Sequence, residues 1–185
     1  MRGDRSHSRK VDTVAGSLLL AHPALEEPTF RHAVILMSEH NDEGAMGVVL
    51  NRPAGKRLGA LSGDFALGTL AQVPIFSGGP VQDRQLILVA WETQAEGFRM
   101  HFGIEPLKAE QFLQEGMHMR AFLGYAGWTR GQLDNELKHN TWVIADIPPD
   151  LIESPQDEGL WRKVLGAKGD EWRLLADEPD EPELN

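Results

Sequence analysis

Two apolar runs separated by one polar turn constrain the fold of this chain more than any other feature. HAVILMSEH covers residues 32–40 and AMGVVLN covers 45–51, and the turn sequence NDEG lies between them. Apolar runs of this length, joined by turn residues, are typical of a β-hairpin. Both faces of the first run are apolar, so we expect a strand in the interior of the sheet, covered on both sides.

Further apolar runs and helix-capping signals alternate along the chain. Strands are predicted at 16–22, 73–78, 84–91, 98–104, 119–127 and 141–146. Helices are predicted over 106–116, over 130–139 with Thr129 as the N-cap, and over 154–166 with Ser154 as the N-cap. Since hairpins occur together with helices between strands, the pattern predicts an α+β protein with a mixed or mostly antiparallel sheet.

Composition limits the possible functions. The chain has 185 residues, 41% of them hydrophobic, which suffices for one domain. Its 28 acidic and 18 basic residues give a formal charge of -10, so we expect no direct contact with nucleic acid or a membrane. Cysteine is absent, which excludes disulfides and thiolate catalysis. Without a signal-like or membrane-length apolar run, we expect a cytoplasmic protein.

The two ends of the chain differ in composition from its centre. Residues 1–12 are polar and partly basic, and we expect a mobile segment there. Residues 176–185, ADEPDEPELN, are acidic and interrupted by proline, which predicts a disordered tail. A single α+β domain is therefore expected over residues 13–175.

Chemically active side chains lie at both ends of the predicted hairpin. Glu39, His40 and Asn41 adjoin the turn, whereas Asn51 and Arg52 follow the second strand. In a regular hairpin Val34 faces Asn51, about 20 Å along the ladder from the turn at roughly 3.3 Å per residue. The two groups should then not form one site. We interpret the first group as residues that close the turn, and we keep it as a second candidate cluster.

The segment SGGPVQDR, residues 77–84, is a candidate anion site. Paired glycines before a proline can leave backbone N–H groups directed into a cleft. We predict a ligand site that could hold a carboxylate or a phosphate, formed by Asn51, Arg52, Gly78, Gly79, Gln82 and Arg84. It requires both loops to lie on the same side of the sheet. Alternatively, Gly-Gly-Pro is a tight turn, and Arg52 ties loops together through backbone carbonyls.

The sequence lacks the common catalytic and cofactor motifs. Neither G-x-S-x-G nor G-x-x-x-x-G-K-[ST] occurs, and the glycine spacing in GYAGWTRGQL is not that of a dinucleotide site. The histidines show no H-x-H or H-x-x-x-H spacing, and His32 and His40 would lie about 26 Å apart on one strand. We therefore expect no metal and no cofactor.

Three segments together resemble one known family. They are GSLLLAHPALEEPTFRHAVILMSEHNDEGAMGVVLNRP, SGGPVQDRQLILV and GYAGWTRGQLDNELKHNTWVIAD. In content and order they are similar to the YqgE/AlgH family of small bacterial proteins, over 16–165. The resemblance implies one α+β domain whose bifurcated sheet is partly closed into a barrel and flanked by helices. It implies no established reaction. One branch is labelled a transcriptional regulator, but this sequence has no helix-turn-helix and no basic recognition face.

Two functions remain open. The first is a non-enzymatic binding or regulatory protein, linked to transcription through a partner, whose loops 39–41, 51–53 and 78–84 contact a protein or a small anionic ligand. The alternative is a hydrolase or transferase acting on an anionic metabolite. There, Arg52 or Arg84 would bind the anion, and Glu39 or His40 would transfer protons. The missing nucleophile, metal and cofactor motifs favour the first function.

Overall fold

The computed structural model describes residues 13–61, 63–65, 67–95 and 97–177. The strands are β1 (Leu18–Ala21), β2 (Val34–Asn41), β3 (Gly44–Val49), β4 (Pro53–Arg57), β5 (Pro74–Ser77), β6 (Val81–Thr93), β7 (Phe98–Phe102), β8 (His118–Thr129) and β9 (Trp142–Ala145). The helices are α1 (Leu58–Leu61), α2 (Pro106–Gln114), α3 (Gln132–Lys138), α4 (Glu158–Gly166) and α5 (Asp170–Asp177), with 3₁₀ turns at Gly63–Phe65 and Thr69–Gln72.

The sheet divides at β8. Seven strands follow the order β4-β5-β8-β3-β2-β1-β9, while β6 pairs with β8 on its other side and carries β7. Residues 121–123 of β8 pair with β5 and β6 at once, and β5–β8 is the parallel pair among antiparallel ones. The sheet curls into a half-barrel flanked by helices. The predicted α+β fold with a bifurcated, mostly antiparallel sheet is confirmed.

The predicted hairpin is formed by β2 and β3. Near the turn, Glu39 pairs with Met46 and His40 with Ala45, as the sequence predicted. The predicted pairing of Val34 with Asn51 is wrong, because Met37 pairs with Gly47 and the register shifts by one residue at Ser38. Such a bulge adds one unpaired residue to a strand.

Strand β2 is buried on both faces, as predicted. Val34 and Leu36 belong to a core cluster with Phe122 and Trp161. Ile35 and Met37 pack on the opposite face in a second cluster, which includes Val14, Leu133 and Trp142. A third cluster lies between α2 and the strands β5, β6 and β8. The strand therefore separates two apolar layers, which fixes the hairpin in the middle of the fold.

The predicted N-cap Thr129 does not cap a helix. It is the last residue of β8, where it pairs with Gly44, and α3 begins three residues later after Gly131. The Thr129 N–H instead donates to Oε1 of Gln132 at 3.0 Å. The prediction was wrong because β8 extends to Thr129 itself, and a turn at residues 130 and 131 separates Thr129 from α3.

The predicted N-cap Ser154 is also wrong. Asp157 caps α4, and its Oδ1 accepts a hydrogen bond from the Gly159 N–H at 2.9 Å. The Ser154 hydroxyl donates to the Asp150 carbonyl oxygen at 2.7 Å. At the end of the domain, α5 extends to Asp177, so residues 176 and 177 of the predicted tail belong to a helix. Residues 1–12 and 178–185 lie outside the described residues.

In the part of the chain that the structure describes, no helix combines the length and the apolar character needed to cross a membrane.

Candidate functional site

A cleft of about 810 Å³ lies between the β1–β2 loop and the start of α4. We call it the arginine cleft. Its walls come from the loop, from the residues after β3 and from the first turn of α4. They are Glu26, Pro28, Arg31, His32, Asn51, Arg52 and Glu158. Two residues predicted to bind a ligand, Asn51 and Arg52, therefore lie in one cleft.

Asn51 fixes the floor of the arginine cleft. The residue is 5% exposed and follows the end of β3. Its Oδ1 accepts the Val34 N–H at 3.0 Å, and its Nδ2 donates to the His32 carbonyl oxygen at 2.8 Å. The side chain thus continues the β2–β3 ladder after the strand has ended. Both backbone groups are satisfied by one buried amide, which anchors the residues before β2.

Arg52 ties the β1–β2 loop to the sheet. Its Nη2 donates to the carbonyl oxygens of Arg31 at 3.2 Å and of Pro28 at 3.4 Å. Its own carbonyl oxygen accepts the Ser77 N–H at 2.8 Å. These contacts are the ones expected if Arg52 ties loops together through backbone carbonyl oxygens. Burial lowers the pKa of Arg52, and the carboxylates of Glu27 and Glu158 oppose that shift. A guanidinium has further N–H donors on Nε and Nη1, so loop contacts through Nη2 and ligand contacts are compatible.

His32 and Glu158 complete the cleft and were not predicted from the sequence. The His32 ring stacks on Trp161 at 3.9 Å between centroids, and its Nδ1 lies 3.5 Å from Oε1 of Glu158. That distance exceeds an ordinary hydrogen bond. Burial lowers the pKa of His32 and Arg31 adds to the effect, while Glu158 opposes it. The backbone φ of His32 is 56°, an uncommon value for a residue with a side chain.

The predicted glycine pair packs between β8 and the end of β3 and does not line the arginine cleft. The Gly78 N–H donates to the Leu123 carbonyl oxygen at 2.8 Å, and the Gly78 carbonyl oxygen accepts the Val49 N–H at 2.9 Å. A Cβ on Gly79 would overlap the backbone of Tyr125. Both glycines therefore allow close backbone approach, and the Gly78 N–H is already bonded.

Gln82 and Arg84 are exposed residues of β6. The walls of the arginine cleft include neither of them, and they include neither Gly78 nor Gly79. Of the six predicted ligand-binding residues, Asn51 and Arg52 line the arginine cleft, whereas Gly78 adjoins them through backbone hydrogen bonds without lining it.

The second candidate cluster is divided between two faces of the hairpin. Glu39 and Asn41 line a cleft of about 450 Å³ with Met46 and Tyr125. His40 is 8% exposed, and its Nδ1 accepts the Val14 N–H at 3.1 Å. Its Nε2 must then carry the proton that is donated to Oδ1 of Asp134 at 2.9 Å. Both ring nitrogens of His40 thus connect parts of the fold, and the two ends of the hairpin line separate clefts.

The arginine cleft can hold a ligand by charge and hydrogen bonds. Two guanidinium groups and an imidazole face it together with the carboxylates of Glu26 and Glu158. Within the described ranges, no three His, Asp or Glu side chains are grouped so that they could hold a metal ion. The arrangement suits an anionic group near the arginines, with a hydrogen-bond donor of the ligand near the carboxylates.

Comparisons with known proteins identify the family. The AlgH-like family model (DUF179) matches residues 18–173. A UPF0301 protein of Streptomyces coelicolor is 38% identical over 95% of this chain and 97% of its own. A UPF0301 protein of Parabacteroides distasonis is 30% identical over 93% and 91%.

Two solved structures agree with the fold. The protein DIP2367 of Corynebacterium diphtheriae superposes with a TM-score of 0.71 at 21% identity, and the alignment covers 90% of this chain and 93% of that one. The solution structure of AlgH from Pseudomonas aeruginosa gives a TM-score of 0.65 at 26% identity, covering 98% and 100%. The chain therefore belongs to the AlgH-like UPF0301 family, whose molecular function is not established.

Proposed function

We propose that this protein is a non-enzymatic binding protein whose arginine cleft takes a small ligand with an anionic group. The observation that carries the proposal is the fixed position of Arg52, which two loop carbonyls hold at the wall of an open cleft beside Arg31. A guanidinium held in place loses little conformational entropy when it binds. Carboxylates and phosphates can accept two parallel hydrogen bonds from such a group.

The two carboxylates of the cleft narrow the ligand class. Glu26 and Glu158 line the same walls as the arginines. A polyanion would place negative charge against them, which is unfavourable. A ligand with one anionic group, and a hydroxyl or ammonium group on its other side, matches the cleft better.

If the protein were instead a hydrolase or transferase, Glu39 or His40 would transfer the protons. Glu39 lines a different cleft from Arg52, and both ring nitrogens of His40 are bonded to Val14 and Asp134. This separation supports binding over catalysis. The proposal places the protein in the cytoplasm. Any link to transcription would be indirect, through the bound ligand or a protein partner, because the formal charge of -10 opposes contact with DNA phosphates.

Thermal unfolding with a panel of anionic metabolites tests the proposal. The proteins are the wild type, Arg52→Ala and Arg84→Ala, and the last of these removes the same charge from an exposed position of β6. The panel contains hydroxy acids, amino acids and monophosphates. A compound present at one hundred times its Kd should raise the Tm of the wild type and of Arg84→Ala by about 5–10 °C, and that of Arg52→Ala much less.

One outcome would contradict the proposal. If Arg52→Ala melts at a lower temperature and no compound shifts the wild type, Arg52 ties loops together and the cleft does not bind such ligands.

A further inference from the structure

Arg120 is a buried cation on β8. Its side chain lies in the half-barrel and is 1% exposed. Its Nε donates to Nε2 of His118 at 3.3 Å, and its guanidinium carbon lies 5.3 Å from the ring centre of Phe76 and 5.4 Å from that of Trp91. In the described part of the chain, none of the ion pairs includes Arg120.

Two buried donors in this group have no partner. Nη2 of Arg120 and Nε1 of Trp91 are both shielded from solvent, and neither forms a hydrogen bond within the described residues. Burial lowers the pKa of Arg120 to about 10, so the guanidinium is still charged at neutral pH. A buried charge with unsatisfied donors is costly, and aromatic rings offset only part of that cost. An acceptor that carries negative charge would satisfy these donors and balance the charge of the guanidinium.

A surface cleft shares Phe76 with this group. It measures about 250 Å³ and lies between the β4–β5 edge and Gln156. Phe76 lines this cleft and also contacts the Arg120 guanidinium, so one aromatic residue touches both. Lys56 and Arg57 lie on the cleft wall. Basic side chains concentrated at one opening of an acidic protein attract small anions to it.

We propose that Arg120 and Trp91 form an internal site for a small monocarboxylate, which enters past Phe76. The guanidinium provides one positive charge and parallel N–H donors for the two carboxylate oxygens, and the indole N–H provides a further donor. His118 accepts a hydrogen bond from Arg120 through Nε2 and is therefore neutral, so it adds no second charge. A single negative charge balances the site. This site does not depend on the arginine cleft.

Salt-dependent thermal unfolding tests the site. Sodium formate or sodium acetate replaces sodium chloride at constant ionic strength, with wild type, Arg120→Met and Arg52→Ala compared. The wild type and Arg52→Ala should show a saturating rise in Tm with either carboxylate, because binding to the native state stabilises it. Arg120→Met should show only the gradual slope that such salts cause in any protein.

Three results would overturn the proposal. They are a wild type that responds to carboxylates as it does to chloride, a saturating rise that persists in Arg120→Met, and a rise that only Arg52→Ala abolishes. A saturating response to phosphate without one to formate or acetate would exclude a monocarboxylate.

A second variant tests the indole donor without removing the charge. Trp91→Phe keeps an aromatic ring beside Arg120, and it should raise the half-saturating formate concentration about tenfold, as expected for losing a hydrogen bond to a charged group. Trp142→Phe is the matched control, because Trp142 is a buried tryptophan in the core cluster on the opposite face of β2, whereas Trp91 belongs to the cluster of Val34 and Leu36. Its half-saturating concentration should equal that of the wild type. Equal values for all three proteins would overturn the assignment of Trp91.

Discussion

Asn51 holds the backbone of His32 through a side-chain hydrogen bond, in which Nδ2 donates to the His32 carbonyl oxygen at 2.8 Å. Because His32 has a φ of 56°, its conformation needs support from neighbouring groups. The stacking of His32 on Trp161 and its approach to Glu158 depend on that conformation. A buried amide thereby determines the shape of one wall of the arginine cleft.

We expect Asn51→Ala to lower the free energy of unfolding by about 2–3 kcal/mol. The change leaves the Val34 N–H and the His32 carbonyl oxygen buried without a partner. Asn41→Ala is the control, because Asn41 is exposed and accepts one bond from the Glu43 N–H in the turn. It should cost less than about 1 kcal/mol. Urea denaturation measures both, and equal losses would contradict the role of Asn51.

The stability of the protein should decrease as the pH falls below about 6.5. Burial lowers the pKa of His32 from its ordinary 6.5, so below that pH the unfolded chain binds more protons than the folded one. His32→Asn removes this contribution, and asparagine tolerates the positive φ. Urea denaturation between about pH 5 and pH 8 should give a shallower slope for the variant. His118, whose pKa burial also lowers, contributes to the remaining slope. Identical slopes would contradict the prediction.

Gly79→Ala should destabilise the protein far more than Gly55→Ala. Both glycines have positive φ, 151° and 72°, but a Cβ at Gly79 meets the backbone of Tyr125 whereas one at Gly55 meets open space. We expect about 1 kcal/mol for Gly55→Ala from backbone strain and about 3 kcal/mol or more for Gly79→Ala. Melting temperatures of the two variants provide the comparison. A small loss at Gly79 would mean that the β5–β6 loop can move away from β8.

Asp157→Ala should cost about 1 kcal/mol by removing the N-cap of α4. Thr129→Ala should cost less than about 0.5 kcal/mol, because among the described residues the Thr129 hydroxyl bonds the exposed Gln132 side chain alone, at 3.3 Å. Denaturant midpoints of the two variants distinguish the observed cap Asp157 from the predicted cap Thr129. A larger loss at Thr129 would restore its role as a cap.

The sequence predicted the buried strands well because apolar runs between turn residues carry that information. The strand β4 has no such pattern, since all five of its residues are exposed. It is held at the edge by the pairing of Pro53 with Phe76 and of Arg57 with Pro74. The register shift at Ser38 was equally invisible, because both faces of β2 are apolar and its residue pattern therefore fits either register.

The site was predictable only in part. Asn51 and Arg52 stand out locally, as polar residues that follow an apolar strand. Glu158 meets them only because α4 packs beside the β1–β2 loop, and no spacing in the sequence encodes that contact. The paired Gly78 and Gly79 were ambiguous, since close packing on a strand and exposure of backbone donors to a ligand require the same residue.

The position of β8 in the chain has a consequence for synthesis on the ribosome. This strand joins the β2–β3 hairpin, β5 and β6, yet it ends only at Thr129. Until it emerges, every strand that pairs with it exposes an open edge, and β1 still lacks β9. Open edges of this kind invite pairing with other chains. We therefore expect fragments truncated before residue 129 to be insoluble.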